Sequence, residues 1–279
     1  QKKKYLSKLA TGEILGAFGL TEPNAGSDAG NTQTRAKLKD NGYIVNGQKV
    51  FCTNAGYADT IIFTAILDDG SEDKEIGAFI TEKGTEGLRV GEPEDKMGWK
   101  GSDTRSVYFE DMFIPKENVL GNPSKGFKQF LRTLTGGRIT IGALALGTAQ
   151  GAYQRALRYS SERKAFGKEI NKFQGVSFKL ADMATAIEAS KHLVYHAAHL
   201  KDKGKQIIKE AAMAKLFSSE MCMKVTTEAI QIFGGYGYIK EYDVERFFRD
   251  SKILEIGEGT SEVQRIIISR EILNNINSI

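Results

Sequence analysis

The sequence predicts an α+β, multidomain chain: an antiparallel β-sandwich or barrel domain followed by an antiparallel α-helical bundle. Three observations carry that expectation. From about residue 12 to 115, short alternating or apolar runs are separated by Gly, Asn and Asp turns, with no helical period between them. From about residue 127 onward, apolar residues recur at helical spacing over long stretches joined by short polar connections. A length of 279 residues is enough to bury one large core or two smaller ones.

Residues 1–11, QKKKYLSKLAT, read as the tail of a helix or an amphipathic connection. A short apolar run from Ile14 to Leu20 leads into the loop TEPNAGSD, Thr21 to Asp28. That loop has neither the lysine of a Walker A motif nor a GxGxxG pattern. It reads as a turn whose small residues and hydroxyls could also receive a phosphate or a ring edge through backbone N–H groups. Thr32 to Lys39 alternates, and Asp40-Asn41-Gly42 predicts a hairpin; Asn46-Gly47 predicts a second tight turn before Gln48 to Thr53. Thr60 to Leu67 is a continuous apolar run closed by Asp68, Asp69 and Gly70, and Ile76 to Thr81 returns beside it. Leu88 to Gly91 and Ser106 to Phe113 complete roughly seven strands, linked by a loop that holds the only tryptophan, Trp99.

Pro115 to Pro123 forms the boundary loop. Phe127 to Ser160 keeps helical periodicity, with Gly136, Gly137, Gly142, Ala143, Gly147 and Gly151 as a small-residue region suited to close helix packing. Charge and glycine interrupt the pattern from Ser161 to Gly175. Two long amphipathic helices follow, Val176 to Lys201 and Gln206 to Phe233, the second capped at Gly234-Gly235. Glu241 to Asp250 is a short helix and Ser261 to Leu273 the last. The expected domains are therefore 12–123 (β) and 124–279 (helical), with 1–11 preceding them.

Composition excludes several function classes. Thirty-nine basic and thirty-five acidic residues are interleaved, so the net charge of +4 forms no nucleic-acid footprint. Cys52 and Cys222 lack metal-ligand or CxxC spacing, which fits a reduced intracellular protein without disulfides. No signal peptide and no apolar run long enough for a membrane span is present. His192, His196 and His199 fall on one predicted helix, and without a fourth ligand nearby they read as helix surface and not as a metal site.

One acidic residue stands out. In LEIGEGTSEVQR, Leu254 to Arg265, Glu258 lies between Gly257 and Gly259 just before a helix start, where Ser261 and Gln264 fit a capping box. The carboxylate sits either in a solvated turn or at a place where the backbone can approach another molecule.

TEPNAGSD, ERKAFG (Glu162 to Gly167) with Gln174, QIFGGYGY (Gln231 to Tyr238) and RDSKILEIGEGTSEVQR (Arg249 to Arg265) occur in this order. Together they resemble the acyl-CoA dehydrogenase family of flavoproteins, short- and medium-chain type, over the whole chain. The resemblance implies a middle β domain and a C-terminal helical bundle that hold FAD within a homotetramer, a dimer of dimers. It further implies an acyl-CoA substrate and electron-transferring flavoprotein as partner, with no nucleic acid and no membrane span. The location implied is the cytoplasm in a bacterium or the mitochondrial matrix in a eukaryote. Members ordinarily begin with a further helical domain, of which residues 1–11 would be the remnant.

The reaction implied is α,β-dehydrogenation of the acyl-CoA thioester to the trans-2-enoyl-CoA. A base takes the pro-R proton from Cα as a hydride leaves Cβ for flavin N5. Glu258 matches the family base, and burial beside an acyl chain and a neutral flavin would raise its pKa. Gly259 lets the turn pass close to the thioester, whose oxygen would accept from the Glu258 N–H and a flavin ribityl hydroxyl. Arg138 matches a supporting arginine. Gly137 stands where other members carry the base, leaving no rival carboxylate there. Gly257 replaces a common tyrosine and would admit branched, cyclic or aryl acyl groups. Ser27, Gly257, Glu258 and Gly259 are the implied substrate contacts.

For FAD, the resemblance implies Phe18, Leu20 and Thr21 along the ring system, Ser27 at the pyrophosphate, and Phe51 with Thr53 against the ring and its N5 side. Arg163, Phe166, Gln174, Gln231, Gly234 and Gly235 would reach the adenosine half of FAD in a neighbouring subunit, with Thr260 and Gln264 at a helix N-terminus facing flavin oxygen or phosphate. An oxidase, an enoyl-CoA reductase and a non-catalytic flavin-binding assembly protein are alternatives on the same scaffold.

Overall fold

The computed structural model describes residues 1–68 and 74–274. Helix α1 (Lys2–Thr11) is followed by seven strands: β1 (Gly16–Gly19), β2 (Arg35–Lys39), β3 (Gly42–Thr53), β4 (Thr60–Asp68), β5 (Ile76–Glu82), β6 (Leu88–Pro93) and β7 (Thr104–Pro115). The expected turn at Asp40-Asn41 closes the β2–β3 hairpin, with Lys39 opposite Gly42 and Asp40 at φ 48°. Asp69 and Gly70, expected to close β4, lie outside the described residues.

The strands form one sheet, curled as a half-barrel, in the order β1-β4-β2-β3-β7-β6 with β5 also on β4. Four pairings are antiparallel, as expected, but β1 and β2 both run parallel to β4. β5 covers Thr60 to Ile66 along one edge of β4; the other edge is shared by β1, at Thr60 to Phe63, and β2, at Ile66 to Asp68. Paired on both edges, β4 is also buried at nearly every position, on both faces, which is why its sequence is continuously apolar.

Asn46-Gly47 is not a turn. β3 runs through it, and the ladder to β7 shifts register between Val45 and Gly47. Gly47 takes φ 143°, and a Cβ there would lie 2.6 Å from Thr34 Oγ1. Asn46 spends its side chain on β7, donating to Asp111 Oδ1 and accepting from the Asp111 N–H, both at 2.9 Å.

The β core centres on Phe63, stacked on Phe109 and Phe79 with centroids 4.3 and 5.6 Å away. Beside it lies a buried ion pair: Lys49 Nζ meets Glu22 Oε1 at 2.7 Å, and it also donates to Thr32 Oγ1, Thr64 Oγ1 and the Leu20 carbonyl. Burial alone would raise the Glu22 carboxyl; the Lys49 charge and hydrogen bonds from Thr32 and Thr34 override it and hold the pKa at about 2.

The helical part comprises α2 (Gly126–Glu162), the hairpin β8 (Lys164–Ala165) and β9 (Lys168–Glu169), α3 (Gln174–Asp202), α4 (Ile208–Phe233), α5 (Val244–Ser251), α6 (Ile253–Ile256) and α7 (Ser261–Asn274). Small residues on α2 allow close packing: a Cβ on Gly142 would sit 3.3 Å from the Ala214 carbonyl of α4, and one on Gly151 2.8 Å from the Phe247 ring of α5. Cys52 and Cys222 are free and buried, and burial pushes both thiols up to about 12. The three histidines are exposed on α3, and among the described residues no group of His, Cys, Asp or Glu is arranged to hold a metal ion. No helix among the described residues is long and apolar enough to cross a membrane.

Two compact units result, residues 1–96 with 100–132, and residues 97–99 with 133–274 among those described. The division between these compact units falls inside α2. The start of α2 belongs with the sheet because Gly126 lies against Gly77 and Ala78, where a Cβ would be 2.2 Å from the Ala78 nitrogen, and Phe130 stacks on Phe18 at 4.3 Å.

Candidate active site

In the helical unit, three elements converge: the middle of α2, the buried face of α4, and the turn between α6 and α7. The turn is unusual backbone. Gly257 is extended, Glu258 takes φ 56° and Gly259 φ 91°. A non-glycine residue held there costs roughly 1–3 kcal/mol and persists only where its surroundings impose it. The surroundings are specific. The Gly257 N–H donates to the Ile253 carbonyl at 2.8 Å, Gln264 Nε2 donates to the carbonyls of Gly259 at 2.8 Å and Glu258 at 3.3 Å, and Lys215 Nζ donates to the Gly259 carbonyl at 2.7 Å.

The expected capping box does not form, and the cap lies one residue earlier. Thr260 Oγ1 accepts from the Val263 N–H at 3.3 Å and caps α7, while Ser261 is the first helical residue and its hydroxyl is buried without a partner. Gln264 therefore turns to the 258–259 carbonyls instead of closing a box.

The strained turn aims the Glu258 carboxylate at α2. Oε2 is buried without a partner, and a Cβ on Gly137 would lie 2.7 Å from it, so only glycine at 137 leaves the carboxylate its place. Arg138 is buried, 6% exposed, with Nε unpartnered, and is not the solvated helix charge that an isolated arginine on α2 suggests. Burial raises the Glu258 carboxyl above its ordinary value, with the charges of Arg138 and Lys215 opposing the shift. Among the described residues five buried side-chain polar atoms lack a partner, and four of them, on Arg138, Glu258, Ser261 and Gln264, belong to this turn and its support. Native interiors rarely leave such atoms unpaired, so their concentration singles this turn out as a candidate for chemistry.

Lys215 was not singled out by sequence. Its signal was its place in the buried stripe of α4, among Ala211, Ala212, Ala214, Ser218, Ser219 and Cys222.

A second group surrounds the β8–β9 hairpin and the end of α4. A cavity of about 520 Å³ is lined by Tyr159, Arg163, Ile170, Phe233, Gly234 and Gly235 among others, with the Arg163 guanidinium 5.5 Å from the Tyr236 ring. Of the expected adenosine-contacting residues, Arg163, Gly234 and Gly235 meet there, whereas Phe166, Gln174 and Gln231 do not line it. Phe166, at φ 50° in the hairpin turn, is 95% exposed and takes no part in a core.

In the β unit, Phe18 on β1 is half exposed, and the Thr21 carbonyl accepts from the Val50 N–H at 2.8 Å, tying the TEPNAGSD loop to β3. Leu20 is fixed through its carbonyl on Lys49, and Ser27 lies exposed in the loop. Phe51 takes φ 57° at the second register shift of β3 and is 66% exposed; Thr53 is exposed two residues on, while Cys52 between them is buried. An aromatic ring held out in a strained backbone is not core packing.

Comparison with known proteins follows these two units. Residues 17–112 match the family model described as acyl-CoA dehydrogenase, middle domain, and residues 124–273 the model described as acyl-CoA dehydrogenase, C-terminal domain. The chain is 53% identical over 274 residues to the probable acyl-CoA dehydrogenase YngJ of Bacillus subtilis, covering 98% of this chain and 72% of that protein. Among solved structures, butyryl-CoA dehydrogenase from Megasphaera elsdenii superposes with a TM-score of 0.94 at 50% identity, covering 98% of this chain and 71% of that one. The FAD complex of PigA superposes with a TM-score of 0.92 at 35% identity, covering 97% and 71%.

Proposed function

The chain belongs to the acyl-CoA dehydrogenase family, and from that premise we propose that it is an FAD-dependent oxidoreductase that takes the α and β hydrogens from a short-chain or branched/aryl acyl-CoA thioester. The observation that carries the reading is the buried, unpartnered Glu258 oxygen, held by a strained turn between two buried cations.

The residues present fit the cofactor. The exposed Phe51 ring with Thr53, and the tethered Leu20–Thr21 segment with Phe18, suit a flat isoalloxazine; Ser27 in the exposed loop suits the pyrophosphate. Arg163 and the open Gly234-Gly235 pair beside a 520 Å³ cavity suit an adenosine diphosphate moiety, with Phe166, Gln174 and Gln231 nearby in sequence. FAD supplies the acceptor for the electron pair that leaves Cβ.

Glu258 takes the Cα proton. A carboxylate raised by burial is a stronger base than one in water, and the charges of Arg138 and Lys215 oppose that rise. The Glu258 N–H donates to the thioester oxygen, where negative charge grows as the proton leaves. Gly259 keeps that approach free of a side chain, and Thr260 stands at the mouth of α7, while Gln264, fully buried, holds the 258–259 carbonyls from behind and does not face the flavin as the resemblance implies. A side chain at Gly257 would meet only Ile253, so glycine here leaves open space and supports a broadened acyl pocket. Assembly as a homotetramer and electron delivery to electron-transferring flavoprotein complete the reading.

Anaerobic titration of the FAD-loaded protein with straight, branched and aryl acyl-CoAs tests it. Visible flavin absorbance falls with at least one short-chain member; absorbance unchanged across the panel contradicts the proposal. The base must be unprotonated to work, and its pKa is raised, so the rate of flavin reduction declines at low pH with a midpoint above the ordinary 4.5 of glutamate. A midpoint at or below that value opposes the assignment.

Gly137→Ala separates catalysis from folding. Alanine favours the helix by about 0.5–1 kcal/mol, but its methyl displaces the Glu258 carboxylate. Misplacing a catalytic group by about 1 Å costs on the order of 10²-fold. The variant is expected to melt no lower than wild type and to reduce flavin about 10²-fold more slowly, as read by calorimetry and stopped-flow absorbance; a wild-type rate would show that the carboxylate position does not matter.

A further inference from the structure

We propose that Lys215 is a positioning residue for the Glu258 turn: from the buried face of α4, its ammonium holds the Gly259 carbonyl, sets where the Glu258 carboxylate points and places a positive charge at the base of the turn. The inference rests on Glu258 being the base.

Lys215 is fully buried, and the buried positions one and two turns from it on α4 are Ala211, Ala212, Ser218, Ser219 and Cys222. An ammonium in such a place is costly unless its hydrogen bonds and counter-charges are supplied. Its recorded hydrogen bond goes to the Gly259 carbonyl, at 2.7 Å, and not to a carboxylate. The same carbonyl already accepts from Gln264 Nε2 at 2.8 Å, so a second neutral donor would have satisfied it without a buried charge. What a lysine adds is positive charge at the base of the turn.

The charged groups around it come from every element packed there: Arg138 on α2, Glu255 on α6, Glu258 in the turn and Glu262 on α7. Burial pulls the Lys215 pKa down to about 8, with Glu255 and Glu258 acting to raise it and Arg138 to lower it, which leaves the ammonium charged at neutral pH. Glu255, the larger of the two opposing charges on Lys215, is itself paired with Lys252, whereas Glu258 Oε2 has no partner. Glu258 and Gly259 both have positive φ, so the anchor acts on the residue next to the base, in a turn with no regular secondary structure to hold it.

The test uses Lys215→Met, which removes charge and donor, Lys215→Gln, which keeps a donor without charge, and Glu258→Gln. Two quantities are read: the pH midpoint of flavin reduction in FAD-loaded protein, and amide hydrogen exchange of residues 257–260 by mass spectrometry in FAD-free protein. In both Lys215 variants the midpoint is expected to move up by about one pH unit, because a positive charge favouring the carboxylate is gone. In Lys215→Met, exchange in the turn quickens about tenfold and the plateau rate falls on the order of tenfold; in Lys215→Gln, exchange stays closer to wild type. A wild-type midpoint and wild-type exchange in a folded Lys215 variant, with Glu258→Gln inactive, overturn the inference alone. A Glu258→Gln protein that reduces flavin normally overturns the reading of the base instead. Should Lys215→Met not fold, the midpoint in Lys215→Gln decides.

Discussion

Replacing Glu258 by glutamine is expected to slow flavin reduction by an acyl-CoA about 10²–10⁴-fold, the range that general-base catalysis contributes. Glutamine keeps the size and shape of the side chain, so it still fits against Gly137, where an added methyl would not. Glu258 Oε2 has no protein partner, so an amide nitrogen in its place breaks no hydrogen bond within the chain. The turn itself is held through the carbonyls of residues 258 and 259, which the substitution leaves untouched. FAD content and acyl-CoA binding are therefore expected to change little, and the loss to appear in the reduction rate and not in ligand affinity. Stopped-flow absorbance with equilibrium binding of a non-reducible acyl-CoA separates the two; a loss of binding without loss of the saturated rate would assign Glu258 to substrate recognition.

Lys49→Met is expected to destabilise the β unit by about 3–5 kcal/mol, the usual consequence of leaving one member of a buried ion pair without the other. Glu22 is 4% exposed, so methionine at 49 would leave a carboxylate with no route to water. The hydrogen bonds from Thr32 and Thr34 would remain but not the charge. Lys49 also bridges β3 to the Leu20 carbonyl and to Thr64 on β4, so the loop from Thr21 onward loses an anchor and FAD retention falls with stability. The pH dependence has a definite direction. Because the folded Glu22 pKa is held near 2 against an ordinary 4.5, its stabilising contribution is present above 4.5 and is lost as pH falls toward 2. The gap between wild type and Lys49→Met in urea midpoints should be largest near neutrality and narrow as pH falls, beginning above 4.5 because burial without the Lys49 charge raises the variant's Glu22 carboxyl; a constant gap, or one under about 1 kcal/mol at neutral pH, which is the scale of a surface pair, would contradict the pair's role.

Local signals made much of the fold legible. Asp40-Asn41-Gly42 announced a hairpin because turn chemistry is local, and the apolar run of β4 announced burial on both faces. The parallel pairings of β1 and β2 with β4 were not legible, since they join segments brought together by the sheet and no turn marks them. Asn46-Gly47 misled for a related reason: the same dipeptide serves a tight turn or a bulge, and the neighbouring strands, Thr34 on one side and Asp111 on the other, decide which. At the site, Glu258 between two glycines stood out, but the cap went to Thr260 because a hydroxyl one residue earlier was equally able to take it. Lys215 was hidden by composition, which counts a lysine as surface charge; only its register within an otherwise small and apolar stripe reveals that it faces inward.

Removal of a proton from the α-carbon of an acyl-CoA, the role proposed for Glu258, can be followed apart from hydride transfer. Hydrogen exchange at that carbon measures it without requiring dehydrogenation. With an acyl-CoA that has α-hydrogens and no β-hydrogen, incubated in deuterated water with FAD-loaded protein, wild type is predicted to introduce deuterium at Cα and Glu258→Gln to introduce none above background. Equal deuterium incorporation by the two proteins would contradict the account.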